Sequence, residues 1–487
     1  MKSQKIAATP QNDFFENEEL PEGWYEVPLS KILLTLESGS RPKGGVRGIE
    51  TGIPSVGGEH LNDSGGFRFE KIKYIPTQFF EKMRRGRIQT GDILIVKDGA
   101  TTGKVSIIRS DFPYNPAMVN EHVFICRFIE RIYSPFVFYF LFSQVGQNRI
   151  LENFQGSAQG GINQTFAENT IVPMAPFDEQ QRIVARVEAL LSHVNAARDQ
   201  LNLVPLIMKK FRQAVLAAAC SGRLTEEWRY ENPGVEPAER LFEQIQAIKI
   251  NSDSRKGKIK KKNAPSNFKD DNELKSDIVA DLPLTWTISD LENITSRITS
   301  GSRWWKKFYC TDGPGTFILS QNVRPFFLNW STVLHVDPPE NDPDRKRSEV
   351  QKDDLLITIA GNTGDVCRVR EDLYQHYVCQ SVAMVRPVLK EISPYLEIYL
   401  NSPSHGQKQY DDWAYGEGRP HLSFDQLKKT TILLPPLAEQ YEIVRRVGLL
   451  FECADAFDQE VVAARRRCER LTQAVLGKAF RGELVTA

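Results

Sequence analysis

The chain has 487 residues, 62 Lys+Arg against 62 Asp+Glu, and a formal net charge of zero. At about 100–200 residues per domain it holds two to four domains, and 41% hydrophobic with 25% charged residues excludes a disordered or fibrous chain. Zero net charge also excludes nucleic-acid binding by bulk charge, so any DNA contact must come from local basic patches.

The N-terminal extension, residues 1–17, has no apolar core and is not read as a signal peptide. A first globule follows at 18–176. It carries β-like runs such as Asp92-Ile-Leu-Ile-Val and one aromatic, helix-like stretch from Pro135 to Ser143. The most apolar run, Ile132 to Phe142, is far short of the ~20 residues of a membrane span. The chain therefore reads as cytoplasmic, with no membrane partner.

After Pro176 the periodicity becomes helical, over 177–230, with Asp178 and Glu179 in an acidic first turn. Apolar residues recur at Ile183, Val187, Leu190, Val194, Ala197, Leu201, Val204, Met208, Phe211, Val215 and Ala218. Steps of four and three in alternation are a coiled-coil seam. Pro205 inside it predicts a kink or break. Residues 231–279 form a linker. Tyr230 to Ile250 is helix-like, and the basic run at 255–262 suits either a solvated connector or phosphate contact.

A second globule spans 280–435, with the β-like Asp354-Leu-Leu-Ile-Thr and the helix-like Pro394 to Ser402. Residues 436–487 then repeat the helical pattern behind Glu439, with apolar positions Ile443, Val447, Leu450, Ala454, Phe457, Val461, Ala464, Cys468, Leu471 and Val475. Forty residues at ~1.5 Å rise make a rod of about 60 Å. No small globule covers such a rod, so the two seams are expected to cover each other. The cysteines Cys126, Cys220, Cys310, Cys367, Cys379, Cys453 and Cys468 form no C-x-x-C pair and read as reduced, buried thiols.

The chain is a tandem repeat. LPEGW at Leu20 and LPLTW at Leu282 open the two halves, and Ser-Gly-Ser-Arg recurs at Ser38 and Ser300. The run from Gly91 to Val105 matches Asp353 to Val366, PFDEQ at Pro176 matches PLAEQ at Pro436, and the block at Phe211 matches that at Leu471. Matching blocks in one order mark a duplicated unit. The middles, 45–90 and 307–352, share almost nothing, which suits two modules reading different ligands.

Catalytic motifs fail on inspection. Gly99-Ala-Thr-Thr-Gly103-Lys104 has three residues between its glycines where a phosphate loop needs four, and Val105 follows instead of Ser or Thr. Asp337-Pro-Pro339 is followed by Glu340, not by the aromatic that stacks on a flipped base. No histidines pair at i, i+4 for a helix-borne zinc. No catalytic, cofactor-binding or metal residue is assigned.

The candidate DNA contacts are basic clusters. In the first globule they are Arg41, Lys43 and Arg47, then Lys82, Arg84, Arg85 and Arg87, with Lys104 on the glycine turn. In the second they are Arg303, Trp304, Trp305, Lys306 and Lys307, then Gln321, Asn322 and Arg324, then Arg345, Lys346 and Arg347, with Arg419 beyond. Arg pairs with guanine, Asn or Gln with adenine, and Lys and Arg clamp phosphates. Each residue taken singly is equally well an ordinary surface charge.

PPLAEQ with Ile-Val-x-Arg-Val at 435–447, FRQAV-L at 211–216, LTQAVLGKAFRGEL at 471–484, LPEGW at 20–24 and the doubled Asp-Ile-Leu/Asp-Leu-Leu blocks resemble the specificity subunit of Type I restriction–modification enzymes. The resemblance implies an α+β chain. Two similar α/β target-recognition domains are separated by two long antiparallel coiled-coil helices, an internal tandem repeat with pseudo-twofold symmetry. Each domain reads one half of a bipartite, asymmetric site on double-stranded DNA, with a spacer of about 5–8 base pairs set by the rod.

By the same resemblance the chain is a non-catalytic scaffold without a cofactor of its own. Two methyltransferase subunits would bring S-adenosylmethionine and methylate adenine N6. Two restriction/translocase subunits would bring ATP and Mg. The other readings are a stand-alone catalytic DNA methyltransferase or nuclease, and a coiled-coil scaffold that reads no DNA.

Overall fold

The structure is a computed structural model that describes residues 20–156, 160–255, 282–414 and 420–485. The basic run beyond Arg255 and the candidate Arg419 lie outside the described residues. Five helices matter to the site: α1 (Ser134–Phe142), α2 (Phe177–Cys220), α3 (Ala238–Arg255), α4 (Ser393–Leu400) and α5 (Leu437–Phe480).

The chain divides into two compact units. One holds residues up to Leu203 together with those from Val461 onward; the other holds Val204–Glu460. Each unit therefore contains one globule, the first part of the long helix leaving it, and the last part of the other long helix.

In the first unit the strands are β1 (Tyr25–Pro28), β2 (Leu33–Ser38), β3 (Ile53–Val56), β4 (Lys73–Ile75), β5 (Ile93–Val96), β6 (Val105–Ile107), β7 (Met118–Val119), β8 (Val123–Phe128) and β9 (Ile171–Met174). They form an antiparallel sheet in the order β2-β8-β5-β6, a small sheet β4-β3-β7, and the pair β1-β9. The run Ile93–Val96 is apolar throughout because both faces are buried. Helix α1 is apolar on every side for the same reason: Phe136, Phe138 and Phe140 all lie in the core.

The second unit adds β10 (Thr287–Asp290), β11 (Thr295–Ser300), β12 (Tyr309–Cys310), β13 (Gly315–Ile318), β14 (Val323–Arg324), β15 (Phe327–Leu328), β16 (His335–Val336), β17 (Leu355–Thr358), β18 (Val366–Arg368), β19 (His376–Val378), β20 (Val382–Pro387) and β21 (Thr431–Leu434). The sheet β11-β20-β17-β18 and the pair β10-β21 repeat the first unit's frame. The sheet β12-β16-β13-β19 extends the first unit's small sheet: β13 pairs antiparallel with β16 and parallel with β19, as β3 does with β4 and β7, and β12 is an addition from the divergent middle.

Two buried ion pairs lock the repeated frame. Arg127 donates to both oxygens of Asp92 at 2.8 Å, and Arg386 does the same to Asp354 at 2.7 Å. Each Asp also accepts a backbone N–H three residues upstream, from Gln89 or Gln351. Fork-on-fork geometry of this kind fixes orientation as well as charge. Burial still pushes the Asp92 carboxyl above its ordinary value, with the Arg127 bonds opposing it.

The glycine in each Ser-Gly-Ser turn has a steric cause. A Cβ on Gly39 would stand 1.7 Å from the Val119 carbonyl oxygen, and one on Gly301 1.4 Å from that of Val378. The turn presses directly on a neighbouring strand, and only glycine permits it.

Helix α2 runs through Pro205 without a break, where the sequence predicts a kink or a break. The seams hold in part. Ile183 and Val187 in one unit, and Ile443 and Val447 in the other, are buried. Leu190, Val194 and Leu201 are half-buried, and Leu450 packs on the second core. In α5, Val461 is buried and Val475 packs on the first core, but Phe457 is 63% and Leu471 54% exposed.

Ala454, Val461 and Cys468 keep their heptad places, while the inward position between them moves one residue on, to Asp458, Arg465 and Thr472. Those places are polar. Asp458 and Asp455 accept from Arg212 at 2.9 and 2.5 Å, and Thr472 donates to the Cys468 carbonyl. Apolar spacing alone pointed to the residue next door. Within each unit the helix segments run antiparallel: Leu201 meets Arg465 in the first, and Arg212 meets Asp455 in the second. Five cysteines are buried; Cys453 is exposed and Cys310 half-buried, against the expectation that all were internal. No helix among the described residues is long and apolar enough to cross a membrane.

Candidate nucleic-acid interface

The Ser-Gly-Ser turn is the organising point in each globule. In the first unit, Gly86 lies so close to Gly39 that a Cβ on it would be 2.7 Å from the Gly39 Cα, and its N–H donates to Glu37. This brings Arg84, Arg85 and Arg87 beside Arg41. In the second unit, Arg347 donates to the carbonyls of Ser300 and Gly301. The 345–347 run is thereby held beside Arg303. Clusters far apart in sequence are gathered once in each unit, next to the same turn.

Within those clusters the roles separate. Lys43, Arg47, Arg84, Arg85, Arg303, Lys306 and Lys346 are exposed and make no ion pair among the described residues. Lys307 is exposed over the Phe308 ring, and Gln321 is exposed. Trp304 is 76% exposed. These are groups that can meet a phosphate or a base.

Other candidates are structural. Trp305 is 1% exposed, packed on Phe317 and Tyr377, with its indole N–H on Asp342. It anchors the core beneath the β12-β16-β13-β19 sheet and cannot stack on DNA. Asn322 is 3% exposed, and its amide is consumed by Leu319 N–H and the carbonyls of Asn329 and Thr332. It has no edge left for adenine. Both corrections have one cause: a large or hydrogen-bonding side chain on a tight turn is buried when the turn folds back over it.

Arg87 lies 4.3 Å over the Phe80 ring and donates to the Met83 and Phe80 carbonyls. Arg345 donates to Pro338 O, and Arg347 to Asp344 as well as to the turn. Burial would raise the Asp344 carboxyl, but bonds from Ser302 and Arg347 hold it below its ordinary value. Arg324 donates to Ser320 and Val323 carbonyls. These arginines tie loops together.

Lys104 stands apart from the basic clusters, 2.5 Å from Asp63. Its counterpart on the second glycine turn is Asp365, 3.8 Å from Arg324. The charge of the turn residue is reversed between repeats, and so is that of its partner. Burial pushes the Asp365 carboxyl up, with Arg324 opposing.

Sequence reasoning missed a charged group beside Arg41. Arg41 Nε is 3.1 Å from Glu121, whose other neighbour is His122 Nε2 at 3.2 Å. His122 Nδ1 meets Asp98, and Lys97 Nζ donates to the Glu121 carbonyl. Scattered over three loops, these residues show no spacing that a motif could capture.

The family model for the Type I restriction modification DNA specificity domain matches residues 21–203 and 342–456, more than half of the chain. The EcoBI specificity subunit of Escherichia coli is 32% identical over 376 residues, covering 76% of this chain and 70% of that protein. The EcoKI specificity subunit of Escherichia coli strain K12 is 26% identical over 475 residues, covering 96% of this chain and 90% of that protein. A chain from a structural study of complex assembly and conformational transition in the type I R-M system has a similar fold. It aligns with a TM-score of 0.62 at 19% identity, over 96% of this chain and all of that one. On these matches and on its doubled frame, the chain belongs to the Type I restriction–modification DNA specificity family.

Proposed function

We propose that this chain is the DNA-recognition subunit of a Type I restriction–modification enzyme, each globule reading one half of a bipartite, asymmetric duplex site. The observation that carries the reading is the pair of equivalent frames, each gathering exposed basic groups at a Ser-Gly-Ser turn beside an unrelated middle: Arg84 and Arg85 near Arg41, and Lys346 near Arg303. Repeated frames supply repeated contacts to the regular backbone of DNA, and divergent middles supply different base contacts.

The chemistry belongs to partners. Two methyltransferase subunits carrying S-adenosylmethionine would methylate adenine N6, and two restriction/translocase subunits would use ATP and Mg. The chain itself scaffolds them and is non-catalytic. The test is to co-express the chain with its methyltransferase partner and map methylated adenines by sequencing. A split motif is expected. Exchanging residues 20–176 for those of a relative should then change one half of the motif and leave the other. An unchanged motif, or methyl transfer by the isolated chain, overturns the reading.

A further inference from the structure

The two globules share a second feature besides the turn: three loops that converge on it by the same backbone bonds. Gly39 N–H donates to Asn120 O, and Gly301 N–H to Cys379 O. Lys97 N–H donates to His122 O, and Ile359 N–H to Ser381 O. Ile162 N–H donates to Lys97 O, and Leu422 N–H to Ile359 O. These bonds equate Asp98 with Ala360, Glu121 with Gln380 and His122 with Ser381, beside the equivalent Arg41 and Arg303.

Apart from that arginine, the side chains at these equivalent places differ in kind. The first unit has the linked group Asp98, His122, Glu121 and Arg41, with its side chains 33–41% exposed. The second has Ala360, an exposed Gln380 and Ser381. The second unit makes the same backbone bonds with neither carboxylate nor imidazole, keeping only the arginine, as Arg303. The charged group is therefore not what holds the loops.

Resting on the DNA-reading function above, we propose that residues 98, 121 and 122 in the first unit, and 360, 380 and 381 in the second, are specificity-determining positions that face base edges. The acidic groups carry the argument. A carboxylate amid exposed arginines is repelled by phosphates and weakens non-specific binding. It favours binding only where it accepts from a base amino group, as a carboxylate does from cytosine N4. Asp98 and Glu121 Oε1, the oxygen that Arg41 and His122 also hold while Oε2 is buried, thus admit a base with an amino donor and reject one that offers only acceptors. His122, held between them, fixes their orientation. Gln380 is both donor and acceptor and fits adenine. One frame with two side-chain sets gives two half-site specificities.

The test uses the full chain with its methyltransferase partners, reading the methylated motif by sequencing and the fold by thermal unfolding. Glu121→Gln should change preference at one base position of one half-site by roughly ten- to a hundredfold, with the other half untouched and the melting temperature kept. Gln380→Glu should do so in the other half, and Asp98→Asn gives a second, isosteric variant in the first unit. The proposal is overturned if the motif is unchanged in all three variants, or if methylation falls equally on every sequence. If the parent complex yields no split motif, the DNA-reading function itself fails; if the parent motif is split and unmoved by the variants, only these positions fail.

Discussion

The carbonyl oxygen of Leu201 accepts a hydrogen bond from Arg465 Nη2 at 3.0 Å. In an unbroken helix that carbonyl would receive the N–H of residue 205, which is Pro205 and has none. An arginine from α5 thus supplies the donor that the proline removes. Arg465→Met should destabilise the chain by about 1–3 kcal/mol. In a Pro205→Ala background the same substitution should cost less, because the backbone bond is restored. Urea unfolding of the four species gives the coupling directly; additive effects would show that the arginine does not serve the proline gap.

Trp304 and Trp305 are neighbours with opposite roles. Trp305→Ala should lower stability by about 3–5 kcal/mol, as emptying a core aromatic site does. Trp304→Ala should leave stability within about 0.5 kcal/mol, yet weaken DNA binding. Unfolding curves and a fluorescence titration on duplex DNA separate the two. Replacing Lys306 and Lys307 with Ala should also flatten the salt dependence of binding.

Glu439 is fully buried and accepts from Thr225 Oγ1, Arg229 Nη1 and the Trp286 indole at 2.6, 2.5 and 2.9 Å. Its counterpart Glu179 accepts from the Trp24 indole at 3.2 Å. Glu439→Ala strands a guanidinium and should cost about 3–5 kcal/mol. Glu179→Ala loses one bond and should cost about 1 kcal/mol. Equal costs in calorimetry would contradict the asymmetry of the two sites.

Burial, with Lys408 adding to it, pushes the His405 imidazole down from 6.5 to about 4. The fold holds the ring neutral, against the hydroxyls of Ser402 and Ser404. The unfolded chain takes the proton near pH 6.5 and the folded chain only near 4, so stability falls as pH drops through that window and levels off below it. A few kcal/mol are involved. The wild-type minus His405→Gln difference in unfolding free energy should slope between pH 6.5 and 4 and be flat above 7; a flat difference throughout would contradict it.

Much of the frame was legible in the sequence because it is written twice. The Ser-Gly-Ser turns, the Asp92 and Asp354 strands and the two long helices all sit in matched blocks. What escaped was whatever depends on three-dimensional contact. Trp304 and Trp305 are indistinguishable as letters, and only the fold of a short turn decides which one is buried. Asn322 looks like a reader until its amide is seen bonded to its own loop. Phe457 and Leu471 fit an apolar heptad, but Asp458 and Thr472 take the inward places because they find polar partners there. The group around His122 comes from three loops, and no spacing could reveal it.

Phe480 packs its ring on Phe136 and Phe140, at centroid distances of 5.1 and 5.3 Å. The last turn of α5 is thus part of the core of the N-terminal globule. On a ribosome adding about 5–20 residues per second, that globule emerges and then waits roughly 15–50 s for its final helix to be made. The other unit, Val204–Glu460, is contiguous in the chain. The half synthesised first is therefore the half completed last, and until then the faces of Phe136 and Phe140 that Phe480 covers lack their partner.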